Sequence, residues 1–154
     1  MTELTSVLTR ETELVSRFIL VLNQEQAALK SARPDALAAI NAEKLQLVEQ
    51  LNQIGNERAQ LANLAGTASD LEKMKAWLQQ HPQEKKSAAL WVKLLKLARE
   101  AKTLHDLNGK LLNIHLQQTT DAIAVLTQQH QAHSLYGSDG QSAMSTGSRI
   151  VDSA

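Results

Sequence analysis

The sequence predicts an all-α protein: a long antiparallel helical hairpin or coiled-coil-like bundle with a short connecting helix and a flexible C-terminal tail. Three observations carry that expectation. Apolar residues recur at helical spacing over almost the whole chain. Only Phe18, Trp77, Trp91 and Tyr136 are aromatic among 154 residues, so the core is expected in aliphatic seams between helices rather than around large rings. From Ser134 onward the composition changes abruptly, and Ser and Gly replace the Leu, Ala, Gln, Glu and Lys of the preceding sequence. The expected division is therefore a helical body, 1–133, and a flexible tail with a docking motif, 134–154.

The first helix begins near Leu4. Leu8, Val15, Leu22 and Leu29 are spaced by seven, as are Val7, Leu14, Val21 and Ala28, and the two rows form one broad stripe. Glu11 and Glu25 share the row of Leu4 and Phe18, which predicts a half-exposed edge. Arg33-Pro34-Asp35 then breaks the pattern. Pro34 disfavours helix at Arg33 and suits the first turn of a new helix; a tight turn and a kink both satisfy this.

The second helix is expected from about Asp35 to Ala65. Leu37, Ile40, Leu47, Leu51, Ile54, Leu61 and Ala65 keep steps of three and four once Lys44 and Arg58 are counted in the seam. Long basic side chains can cover such a seam with their methylenes while the charge stays wet. Gly55 weakens this helix by roughly 1 kcal/mol relative to Ala, and Gly66-Thr67-Ala68 ends it. Ser69 and Glu72 have capping-box spacing, opening a short helix to about Gln80 with Leu71, Met74 and Leu78 on its apolar face and Trp77 beside them. His81-Pro82 stops it.

The last helix is the longest, from about Ser87 to His133. Leu90, Leu94, Leu97, Ala101, Leu104, Leu107, Leu111 and Ile114 form its stripe, continued by Ile123 and Leu126. Such a helix spans roughly 65–70 Å and cannot bury its stripe alone. Lengthwise packing against the first two helices satisfies it, and so does a second copy, by homodimerisation or helix exchange.

Composition narrows the function. Sixteen basic and sixteen acidic residues cancel, which supplies no electrostatic excess for nucleic acid. With no cysteine, disulfides and thiolate chemistry are excluded. The start lacks the basic and apolar regions of a secretory signal, and no apolar run is long enough for a bilayer. The expectation is a cytoplasmic protein without nucleic-acid binding or membrane insertion. His130 and His133 are three apart, but two imidazoles fall short of a zinc site and suit a helix C-terminus. His105 and His115 read as polar positions beside the seam. No nucleophile elbow, Walker loop or dinucleotide fingerprint occurs, so no catalytic, cofactor or metal site is expected.

Two local features stand apart. Asn108-Gly109 interrupts the longest helix with a polar amide and a destabilising glycine. It reads as a close helix approach or loosened turn, or as a place where helices shift when a partner binds. In the tail, Leu135-Tyr136 is a small apolar anchor, and Ser138-Asp139-Gly140 favours a turn. Ile150-Val151 is a second anchor. Two anchors on a Ser/Gly chain suit a segment that orders on binding, against the plainer alternative of a solvated chain end.

Glu43-Lys44, Leu107-Asn108-Gly109-Lys110-Leu111-Leu112 and, above all, Leu135-Tyr136-Gly137-Ser138-Asp139-Gly140-Gln141 carry a family likeness. On these residues, and over its whole length, the chain resembles the FlgN family, the flagellar type III export chaperones for hook-associated proteins. Arg149-Ile150-Val151-Asp152 is similar to the end of some members, and Ser138 stands where relatives often have Ala or Pro. The resemblance implies a cytoplasmic chaperone that binds C-terminal helical segments of FlgK and FlgL, prevents premature assembly and delivers them to the export gate. It implies client binding or helix packing for Leu104, Leu107, Asn108, Leu111, Leu112 and Ile114. It implies docking to the gate protein FlhA for Leu135, Tyr136, Gly137, Asp139 and Gly140, with Tyr136 matching the family's tail tyrosine. The alternative is a structural coiled coil that mediates only self-assembly.

Overall fold

The computed structural model describes residues 2–31, 33–62 and 70–135, with side chains described to 128 except at 70. Among these residues four helices follow one another: α1 (Glu3–Lys30), α2 (Pro34–Leu61), α3 (Asp70–Gln80) and α4 (Lys85–Leu135). No strand occurs among the described residues. Ser69 of the capping box and the tail from Tyr136 onward lie outside them.

α1 starts at a threonine cap. The Thr2 hydroxyl accepts from the Thr5 amide at 3.2 Å, satisfying one of the first-turn donors that a helix cannot pair internally. At the other end Ser31 N–H bonds to the Ala27 carbonyl and Arg33 N–H to that of Ala28. Pro34, with no N–H to satisfy, is the first residue of α2. Arg33-Pro34-Asp35 is thus a turn between two helices. Ion pairs across it set the register: Arg10–Glu57, Glu11–Arg58 and Glu25–Lys44. Their sequence separation shrinks from 47 to 19 toward the turn, as only an antiparallel hairpin allows.

α4 runs alongside α1 in the parallel sense. The Thr5 and Ser87 hydroxyls meet at 2.9 Å, and Asn108 reaches the Leu22 carbonyl at 2.8 Å, with separations of 82 and 86. Near-constant separation means the two helices advance together. α4 begins two residues before the expected Ser87, because Glu84 starts it: its carbonyl accepts from Ala88 N–H and its carboxylate from the Ser87 hydroxyl at 2.7 Å. The helix continues to Leu135, two residues past its expected end at His133. α3 ends at His81, whose ring stacks on Trp77 at 4.0 Å and donates through Nδ1 to the Trp77 carbonyl.

The chain divides into two compact units, Met1–Leu111 and Leu112–Ala154. In the first, Leu8, Leu22 and Met74 are completely buried, with Leu4, Val15, Ile19, Trp91 and Leu94 around them. Thus α1 supplies the centre, and the other three helices cover it. In the second, the described residues form the distal part of α4, roughly 36 Å of helix from 112 to 135.

Two expectations about the seams are corrected. The edge of α1 carrying Glu11 and Glu25 is buried, not half exposed. Lys44 and Arg58 do not keep their charges wet, because both side chains are largely buried on those carboxylates. A charge facing an opposite charge across a seam gains more by pairing than by snorkelling outward. The third correction lies in α4. Leu107 and Ile114 are exposed, and the buried row passes from Ala101 and half-buried Leu104 to Asn108. A step of four from Leu104 keeps the row facing α1, whereas the step of three chosen for its apolar residue turns it outward.

Candidate functional site

The polar cluster at Asn108 is the first non-generic feature of the body. Asn108 is 2% exposed. Its amide donates to the Leu22 carbonyl and, at 2.9 Å, to Glu25 Oε1. Lys44 Nζ holds the same carboxylate at 3.2 and 2.9 Å. One buried glutamate on α1 therefore receives donors from α2 and from α4. Such a network ties the three helices at one level, and removing any single member strands the others. A second level forms where Arg58 pairs with Glu11 and lies 5.1 Å over the Trp91 ring. Both are bolts of the scaffold rather than reactive groups.

Gly109 has a different character from its neighbour. It is exposed, and a Cβ there would meet nothing within 4 Å. Close helix approach therefore does not explain this glycine among the described residues.

Two apolar surfaces remain uncovered. On the distal part of α4, Leu112, Leu116, Ile123 and Leu126 are all exposed, Leu126 at 64%. Their spacing of four, seven and three places them on one face. Ile114 and Val125, also exposed, are eleven apart and form a second row on another side. Aliphatic side chains clustered along an exposed helix mark an interaction surface rather than scattered surface leucines. From 112 to 128 the only charged residue is Asp121, bonded to Gln117 within its own helix.

The other surface is a trough in the first unit, about 720 Å³ in volume. Val15 and Phe18 of α1 form its floor. Leu45, Val48 and Leu51 of α2 line one side, and Ala98 and Ala101 of α4 the other, with Lys102 and His105 at the edge. Leu45 is 72% exposed. Here α2 and α4 flank α1 without closing over it.

The expected site residues separate accordingly. Leu104 and Asn108 belong to the packed interior, Leu111 is half buried, and Leu107, Leu112 and Ile114 are exposed. Leu135 is the last residue of α4, while Tyr136, Gly137, Asp139 and Gly140 lie outside the described residues, as do the side chains of His130 and His133. Sequence reasoning missed Leu116 and the trough. It also missed the buried network, although a signal existed: Glu11 and Glu25 are two heptads apart, as are Lys44 and Arg58, mirrored across Pro34. Among the described residues, no group of three or more His, Asp or Glu could hold a metal ion. No helix among them is long and apolar enough to cross a membrane.

Buried bolts and exposed aliphatic rows are the features of a binding scaffold. The family model described as FlgN protein matches residues 1–143, which include all four helices and the Leu135-Tyr136-Gly137 motif. The chain belongs to the FlgN family. FlgN proteins are non-catalytic chaperones of flagellar export and interact with hook-associated proteins. The FlgN match stops before Ile150-Val151, the second apolar pair of the tail. No curated protein and no solved structure matches the chain.

Proposed function

We propose that this FlgN-family chaperone holds C-terminal helical segments of FlgK and FlgL on the distal part of α4 in the cytoplasm. There it prevents their premature assembly and presents them to the export gate. The observation that supports this reading is the exposed row Leu112, Leu116, Ile123 and Leu126. An amphipathic client helix needs an aliphatic face of that spacing to cover its own stripe. With a single charge over 112–128, recognition is by packing rather than by steering.

Magnitudes shape the client. Complete burial of a Leu or Ile is worth about 1.5–3 kcal/mol, and these four side chains are already partly covered by their own helix. Their gross gain of about 4–6 kcal/mol barely meets the cost of association. The client must therefore also cover Ile114 and Val125, so that two client segments clamp α4. Leu135, at the end of α4, and Tyr136, Gly137, Asp139 and Gly140, which follow it in the sequence, then serve as a separate docking element for FlhA.

Calorimetric titration with C-terminal fragments of FlgK and FlgL tests this. The expected result is a defined small heterocomplex with the parent chain and an affinity lower by about tenfold or more for Ile123→Asp. No heat with either fragment, or an Ile123→Asp variant that binds as the parent does, would overturn the reading. A chain that gains only copies of itself would instead favour the self-assembling coiled coil.

A further inference from the structure

We propose that the trough of the first unit takes a helix of about three turns from the hook-associated client, one with an aliphatic ridge and carboxylates along one flank. The trough lies wholly within residues 1–111, so its shape belongs to that unit alone. Asn41 to Leu51 of α2 measure its length, about 15 Å. Side chains at i, i+3 or i+4, and i+7 of a helix cover about 10 Å and fit within it.

The place of the trough in the fold makes its occupant a helix. Residues 81–84 turn the chain between α3 and α4, with the Glu84 N–H bonded to the His81 carbonyl at 3.0 Å. Met74 and Trp91 lie equally far from that turn and share one buried cluster with Ala62 of α2. By the same count the start of α3, Asp70, is level with Leu95. The α4 wall of the trough begins at Ala98, about one turn further on. α1, α2 and α4 all continue along this stretch, and among the described residues nothing takes over from α3 as the fourth helix of the core. A helix from another chain laid on Val15, Phe18, Leu45, Val48 and Leu51 completes the four-helix packing.

Charge selects the flank of that helix. No carboxylate lines the trough. Lys44 is already held by Glu25, whereas Lys102, exposed on the α4 rim, forms no ion pair among the described residues. His105, three residues on, adds a ring donor to the same rim. An occupant with Asp or Glu along that flank pairs with Lys102; one with Lys or Arg there meets an unopposed like charge. The choice of the client as occupant rests on the reading given above. There the distal row barely meets the cost of association, so a client gains from further cover, and Leu45 and Val48 stand 72% and 40% exposed.

Calorimetric titration of the full chain with C-terminal fragments of FlgK and FlgL tests this, beside thiol labelling of a Leu45→Cys chain, whose cysteine has no competitor. Leu45 and Lys102 are both exposed, so substitutions there leave the core intact. Leu45→Glu should raise the dissociation constant at least about tenfold, and Lys102→Glu about two- to fivefold, an effect that salt removes. Saturating fragment should abolish labelling of the Leu45→Cys thiol. Binding unchanged by both charge substitutions, or labelling at one rate with and without fragment, overturns the inference. Labelling that slows with chain concentration alone gives the trough to a second copy, and labelling already blocked in dilute chain gives it to another segment of the same chain; either result overturns the inference too. Ile123→Asp separates the two surfaces. Weakening by Ile123→Asp but not by Leu45→Glu spares the distal row and sinks the trough, and the opposite pattern spares the trough and sinks the distal row. No heat with either fragment ends both.

Discussion

Replacing Asn108 by Ala probes the buried network most directly. The substitution removes one hydrogen bond to the Leu22 carbonyl, worth about 0.5–1.5 kcal/mol, and one to the Glu25 carboxylate, worth about 1.5–3 kcal/mol. It also removes Asn108 Oδ1, a buried atom with no hydrogen-bond partner among the described residues, which returns about 1 kcal/mol. The expected net loss is about 2 kcal/mol. For a chain of this length that is a fall in melting temperature of about 6 °C. Urea unfolding followed by far-UV circular dichroism measures it, with the slope unchanged if the native and unfolded states keep their exposed surface. Asn108→Leu separates polarity from packing. If Asn108 only fills a position in an aliphatic stripe, Leu should match or exceed the parent; if it clamps Glu25, Leu should lose stability as Ala does. An Asn108→Leu chain as stable as the parent would refute the network argument.

Lys44→Ala leaves the buried Glu25 carboxylate with Asn108 as its remaining side-chain donor and should cost about 3–5 kcal/mol. The double replacement Glu25→Leu with Lys44→Met should recover most of that loss in the same unfolding assay. Gly109→Ala should raise stability by about 1 kcal/mol, because the helical Cβ meets nothing; calorimetric unfolding reads the gain directly. Tyr136→Ala should leave the thermal melt and the affinity for client fragments unchanged while weakening binding to the cytoplasmic part of FlhA. Equal loss of both affinities would end the division between a client helix and a docking tail.

Periodicity alone determined the helical class, the number of helices and the break at Pro34, because burial of one face imposes the repeat on each helix separately. It named Ile123 and Leu126 only as a continuation of a stripe through Ile114, which lies on another side of α4. The family motifs were legible for a different reason: Leu135-Tyr136-Gly137 does not depend on what packs beside it. Only the tertiary structure decided which face each helix presents. A step of three and a step of four from Leu104 are equally helical, and the one that meets α1 ends on Asn108 rather than Leu107. Glu25 and Lys44 likewise look like a wet edge and a snorkelling cation until α1 and α2 are laid antiparallel and the charges face each other. The trough needed three helices at once, for its floor and sides come from α1, α2 and α4, and no local pattern records the gap between them.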